Sequence, residues 1–275
     1  MLLPNFYYFF IIYLYMDFFH GVNYSVNGTY NGFTIIFFHN MNHSAYNYNF
    51  TYKNGFKYRP CYFLDYLAKI SRLFIYDRPE ESLRFNILRK RNTDLDKYSK
   101  ILEETSITNH CKKLNEFLQI HNIKGPYILV SHGVGSLYAL KFAYLFKENV
   151  KKIMLIQPYE FTSKLGMKML SNKQNKNSIQ ELLKSITINN IQKLDLHCIS
   201  VPFFSINLEI PIYAFFNIMT CDKENTKKIT RINDFLKKNN PQHYKEFFYK
   251  DKNDYLNQSN PLSLAYKIKY AINAK

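Results

Sequence analysis

The chain has 275 residues, enough to bury one sizeable core, and one domain with an insertion is the simplest division. Its 47% hydrophobic content is that of a globular protein. The 17% aromatic residues without Trp, the eight Gly and the many Asn, Lys and Ile reflect A/T-rich codons, so composition alone assigns little. The net charge of +16 admits an anionic partner, but the lysines are spread, the cluster Arg89-Lys90-Arg91 is followed by Asp94 and Asp96, and no nucleic-acid-binding motif accompanies them.

Residues 2–19 are apolar and aromatic, broken by Pro4, Asn5 and Asp17. The run is short for a membrane span, which takes about 20 residues. It also lacks a basic n-region and a clear cleavage site. An anchor, a signal and an opening strand all stay open. Residues 21–28 alternate and end in Asn27-Gly28, a strand running into a turn. Residues 33–38 read as a buried strand that delivers His39-Asn40. Pro60 suits the first turn of a helix, whose core face would be Phe63, Tyr66, Leu67 and Ile70. Residues 73–76 form the next strand, residues 83–100 a polar surface loop, and Ile107, Cys111, Leu114 and Leu118 a helical stripe.

The remaining elements are organised around residues 124–158. Residues 127–130 follow Gly-Pro as a buried strand, Ser131-His132-Gly133-Val134-Gly135 is a tight turn, and 137–146 is apolar on nearly every side. Such a helix should be covered on more than one face. Residues 152–156 form a second buried strand, which completes a βαβ unit. Beyond Pro158, Lys- and Asn-rich segments flank an amphipathic run of Ile179, Leu182, Leu183 and Ile186. Then come a strand at 211–218, a helix at 223–242 with Ile229, Ile232, Phe235 and Leu236 on one face, and a last strand at 244–249. A final helix runs from Pro261 through Leu264 and Ile268 to Ile272.

Cys61, Cys111, Cys198 and Cys221 form no CxxC pair, which argues against zinc and thioredoxin-like chemistry and suits a reducing compartment. Four N-x-S/T sequons, at Asn23, Asn27, Asn42 and Asn49, point the other way, although an Asn-rich chain makes them by chance. Localisation stays open between the cytoplasm, the secretory pathway and a membrane-anchored state.

The turn at 131–135 resembles the nucleophile elbow of the α/β-hydrolase family, whose pattern is small-x-Ser-x-small. Ser131 and Gly135 meet the need for small residues, but Gly133 stands where the family has its nucleophile. The elbow strains that residue by about 1–3 kcal/mol when it is not glycine; glycine adopts the conformation freely. The turn therefore keeps its shape without the hydroxyl. The resemblance implies an α/β fold with a mostly parallel central sheet flanked by helices, built from residues 19–158 and 209–275. It also implies a helical lid at 159–208, with a basic rim of Lys164, Lys168, Lys173, Lys176 and Lys184, and sets residues 1–18 apart as an N-terminal segment.

The resemblance likewise places the two oxyanion-hole N–H groups at Asn40, where His39-Asn40 replaces His-Gly, and at Val134. It puts the acid at Asp222. The histidine position, counted back from Pro261, falls at Asp254 or a neighbour, and no His follows His243. Asp77 and Arg78 open a loop like the family's Asp-x-x-Gly-x-Gly-x-Ser with both glycines absent, which makes them structural candidates. His39 at the pocket mouth and His132 beside the elbow are pocket candidates. Ser131 should point away from the pocket, and Ser136 should cap the helix. In a serine-protease triad, loss of the nucleophile or the base costs about 10⁶ in turnover. The expected protein is thus related to serine esterases and lipases, non-catalytic or strongly impaired, and acts by binding a small apolar or acyl ligand or a protein partner. An ester hydrolase with rearranged groups is the alternative. No cofactor or metal is implied, no specific nucleic-acid signal is present, and residues 2–19 leave membrane association open.

Overall fold

A computed structural model describes residues 24–40, 48, 50–53, 56–60, 62–78, 107–158, 208–218, 223–250 and 256–274. The apolar segment 2–19, the loop 83–100, nearly all of the expected lid (159–207), Asp222 and Asp254 lie outside the described residues.

Seven strands form one sheet in the order β1 (Tyr24–Asn27), β5 (Arg72–Tyr76), β2 (Thr34–Phe38), β6 (Tyr127–His132), β7 (Val150–Ile156), β8 (Ile212–Asn217) and β9 (Tyr244–Tyr249). Strand β1 runs antiparallel to β5, and every other pairing in this sheet is parallel. The mostly parallel α/β architecture expected from the sequence is the one observed.

Alternate residues of each central strand enter two separate cores, as the two-residue period of a strand requires. Phe38, Leu129, Leu155 and Phe216 face α2 (Ile107–Ile120), α3 (Gly135–Leu145) and α4 (Lys223–Asn239). Phe37, Val130, Ile156 and Phe215 face α1 (Phe63–Ala68) and α6 (Pro261–Asn273), which follows the single turn α5 (Leu256–Ser259). The stripe Ile107, Cys111, Leu114 and Leu118 is buried along α2. In α4, Ile232 and Leu236 are buried while Ile229 and Phe235 pack partly against them. Nine of the eleven residues of α3 are buried, as its all-round apolar sequence required.

Three local expectations need correcting. The strand before the elbow runs on to His132, because its ladder with β7 continues through Ser131 opposite Leu155 and His132 opposite Ile156; α3 therefore starts at Gly135 rather than 137. Pro60 ends β4 (Phe56–Pro60) instead of opening a helix, and β4 pairs with β3 (Phe50–Lys53) in a hairpin that the sequence reading missed. Asn54-Gly55 between the two was its signal. Helix α1 spans only six residues and buries Phe63, Leu64 and Leu67, so Leu64 takes the inward place expected of Tyr66.

One charged group is built into the frame. Lys152, on β7, is 6% exposed, and its Nζ donates to the carbonyls of Ala271 (2.9 Å), Ile272 (2.9 Å) and Ala274 (2.5 Å) at the end of α6. All three ammonium protons meet carbonyls that the helix end leaves without intrahelical partners.

Candidate functional site

Strand β6 is the fourth of the seven strands, and it ends in a corner from which α3 departs. Gly133 takes φ +53° there, its N–H donates to the Ile156 carbonyl at 3.1 Å, and the chain turns at once into helix. Gly135 is forced by proximity: a Cβ at that position would overlap the backbone carbonyl of Phe38 and lie 2.8 Å from that of His39. The Ser131 hydroxyl donates to the Met154 carbonyl on β7 at 3.3 Å, so it serves the sheet. The Ser136 hydroxyl, expected to help cap the helix, donates to the Gly133 carbonyl at 2.7 Å.

The segment after β2 lies against this corner. His39 is fully buried rather than placed at a pocket mouth. Its Nδ1 is 2.9 Å from the Asn40 carbonyl, which can only accept, and its Nε2 is 3.0 Å from the Arg78 backbone N–H, which can only donate. That pattern is satisfied by a neutral imidazole protonated at Nδ1. The Arg78 side chain, 1% exposed, donates to the carbonyls of His39 (2.6 Å) and Asn40 (3.2 Å) and lies 5.0 Å over the Tyr138 ring. Arg78 thus pins the loop that carries Asn40, a structural role of the kind expected from its sequence context. Behind it, His110 Nε2 sits 2.9 Å from the Tyr76 hydroxyl. Burial, helped by the Arg78 charge, pushes the His110 pKa down to about 3. Burial also raises that of the neighbouring Cys111 thiol, so neither group is prepared for chemistry.

Asn40 reaches across to the elbow. Its Oδ1 accepts the Val134 N–H at 3.0 Å, and its amide occupies the space into which a side chain on residue 133 would project. The Asn40 N–H donates to the Tyr48 hydroxyl at 2.7 Å, and that hydroxyl lies 2.8 Å from His132 Nδ1. The two rings meet edge to face at 5.6 Å and 90°. His132 is 2% exposed and sits where the turn's neighbour was expected, in this hydrogen-bonded chain.

No family model matches the sequence, and no curated protein matches it. Solved structures do match. An alpha/beta hydrolase enzyme from a Medee basin deep-sea metagenome library superposes with a TM-score of 0.61 at 13% identity, covering 92% of this chain and 94% of that one. An alpha/beta hydrolase enzyme from the metagenome of Mar Chica lagoon sediments in Morocco superposes at 0.59 and 14% identity, covering 90% and 93%. A monoacylglycerol lipase of Paleococcus ferrophilus superposes at 0.53 and 10% identity, covering 91% and 99%. The chain has the α/β-hydrolase fold.

In the α/β-hydrolase fold the corner after the central strand displays the nucleophile, and two backbone N–H groups beside it bind the oxyanion. Here that corner carries Gly133, with the backbone shape but no side chain. The N–H groups of Val134 and Asn40, the two expected for that role, have internal acceptors: Oδ1 of Asn40 for Val134, and the Tyr48 hydroxyl for Asn40. The structure brings Asn40, Val134, Gly133, His132 and, through the loop backbone, His39 together. Asp222 and Asp254 lie outside the described residues. Tyr48 is the participant that sequence reasoning missed. It stands in an Asn-rich stretch without a motif, and only the tertiary approach of residues 40 and 132 defines its role. Among the described residues, no group of His, Cys, Asp and Glu could hold a metal ion, and no helix is long and apolar enough to cross a membrane.

Proposed function

We propose that this chain is a non-catalytic relative of serine esterases and lipases, and that it acts by binding a small apolar or acyl ligand or a protein partner. The observation that carries this reading is Gly133 at a well-formed elbow, with the Asn40 amide where a nucleophile's side chain would be. An esterase needs an attacking oxygen beside a base, and open donors for the charge that develops on the carbonyl. Ser131 and Ser136 donate to backbone carbonyls, and both nitrogens of His39 lie within hydrogen-bond reach of loop backbone. These contacts weigh against the alternative, an ester hydrolase with rearranged groups. The test is incubation of the full chain with a serine-reactive fluorophosphonate, followed by intact-mass measurement, with p-nitrophenyl butyrate turnover in parallel. No adduct and no turnover above buffer are expected. Stoichiometric labelling of any serine sinks the proposal.

A further inference from the structure

We propose that the outer face of α6 is a docking surface for an anionic lipid bilayer, with Tyr266 and Tyr270 seated at headgroup level and the surrounding lysines meeting the lipids' phosphates and carboxylates. Helix α6 covers the side of the sheet opposite to α3 and the elbow. The inference goes beyond the reading above and holds whether or not the corner reacts.

Leu264, Ala265, Ile268, Ala271 and Ile272 turn one side of α6 into the core. Leu262, Tyr266 and Tyr270, spaced four residues apart, form a row on the far side, where they are 46%, 63% and 67% exposed. Large side chains aligned in water, opposite a well-buried face, mark an interaction surface. Tyrosine indicates the medium. Its apolar ring and polar tip suit a place where one end is apolar and the other wet, which is the headgroup layer of a bilayer. The row is about 12 Å long at about 1.5 Å per residue. It is convex, so it fits a layer that deforms around it better than a preformed partner surface.

The charge around the row has one sign. Helix α6 carries Lys267 and Lys269, on opposite flanks of the row, and no acid. Lys267 lies 4.5 Å over the Tyr249 ring, on the flank toward β9. At the C-terminal end, Lys152 Nζ holds the last carbonyls of the helix. Burial, then the charges of Lys151 and Lys245, hold the Lys152 ammonium below its ordinary pKa, so those two lysines gather at the same end. Lys151, Lys245, Lys267 and Lys269 make no ion pair among the described residues. Anionic leaflets attract such a cluster. A second copy of the chain fits the face poorly, because pairing α6 with α6 about a two-fold axis sets these lysines against each other.

The chain has no Trp, so Tyr270→Trp supplies its sole indole, an aromatic suited to the same layer. The full chain carrying it is mixed with vesicles of phosphatidylcholine and phosphatidylserine. Its emission should shift to the blue and be quenched by lipids brominated near the headgroup. Both effects should fade with phosphatidylcholine alone and in high salt. Co-sedimentation of wild type and variants with the mixed vesicles measures the contributions. Lys269→Gln should weaken partitioning about fivefold, one basic residue's share at an anionic surface. Tyr266→Ser combined with Tyr270→Ser should weaken it about tenfold, through the apolar area withdrawn from the bilayer. Urea midpoints matching wild type, as expected for exposed positions, show that the variants fold. Emission that ignores the mixed vesicles, or equal binding to uncharged ones, overturns the proposal. Variants that sediment like wild type overturn it too, since membrane contact would then belong to another part of the chain. So does a dimer that dissociates when the two tyrosines are replaced, because it assigns the row to a second copy.

Discussion

Gly133→Ala tests the geometry of the elbow most directly. The substitution places a methyl group on a residue at φ +53°, where an L-residue costs roughly 1–2 kcal/mol. The new Cβ also occupies the space of the Asn40 amide, so that amide must turn away and surrender its bond to Val134. Val134 is 1% exposed, and a buried donor left without an acceptor costs about 1–3 kcal/mol. The two effects together put the loss of unfolding free energy at about 2–5 kcal/mol. They separate in a double-mutant cycle. In an Asn40→Ala background the amide is already gone, so Gly133→Ala should cost only the backbone share of about 1–2 kcal/mol, and the coupling should be about 1–3 kcal/mol. Urea denaturation of the four proteins, checked for constant m, measures both quantities. A cost for Gly133→Ala below about 0.5 kcal/mol, or additivity of the two changes, would refute the packing described at the corner.

Arg78→Met keeps most of the side-chain volume but leaves the His39 and Asn40 carbonyls without their cation. It should lower stability by about 2–4 kcal/mol in the same assay, and a loss under about 1 kcal/mol would mean that the loop is held by other contacts. His110 makes stability pH-dependent. The unfolded chain binds a proton near pH 6.5 that the native protein refuses until about pH 3, so stability is full above that window and falls as pH drops through it. At roughly 1.4 kcal/mol per pKa unit the loss approaches about 4–5 kcal/mol. His110→Gln should flatten the profile, and an unchanged slope would show that His110 is not the group responsible. Lys152→Met removes the three donors that hold the end of α6 and should cost about 2 kcal/mol, with faster amide exchange in the last turn of that helix. Unaltered exchange there would disprove the clamp.

The sequence by itself determined most strands and helices of the main sheet, because they rest on local periodicity, while the hairpin of β3 and β4 went unread. The run from Tyr127 through the turn to Ile156 reads as strand, corner, helix and strand, and the alternate burial of each central strand follows from apolar residues on both faces. Small residues at 131 and 135 mark a tight crossing, and glycine at 133 marks both a left-handed backbone and a missing hydroxyl. Errors fell where a local signal has more than one use: Pro60 suits a strand end as well as a helix start. The tertiary structure alone decided what stands at the corner. Residues 40, 48, 78 and the pair 132 and 134 come from four separate stretches of chain, and hydrogen bonds between them depend on distances that no sequence period encodes. Read alone, Asn40 is a substituted glycine in a loop; set beside Gly133 and Val134, it is an amide that accepts the Val134 N–H and fills the space a side chain at 133 would need.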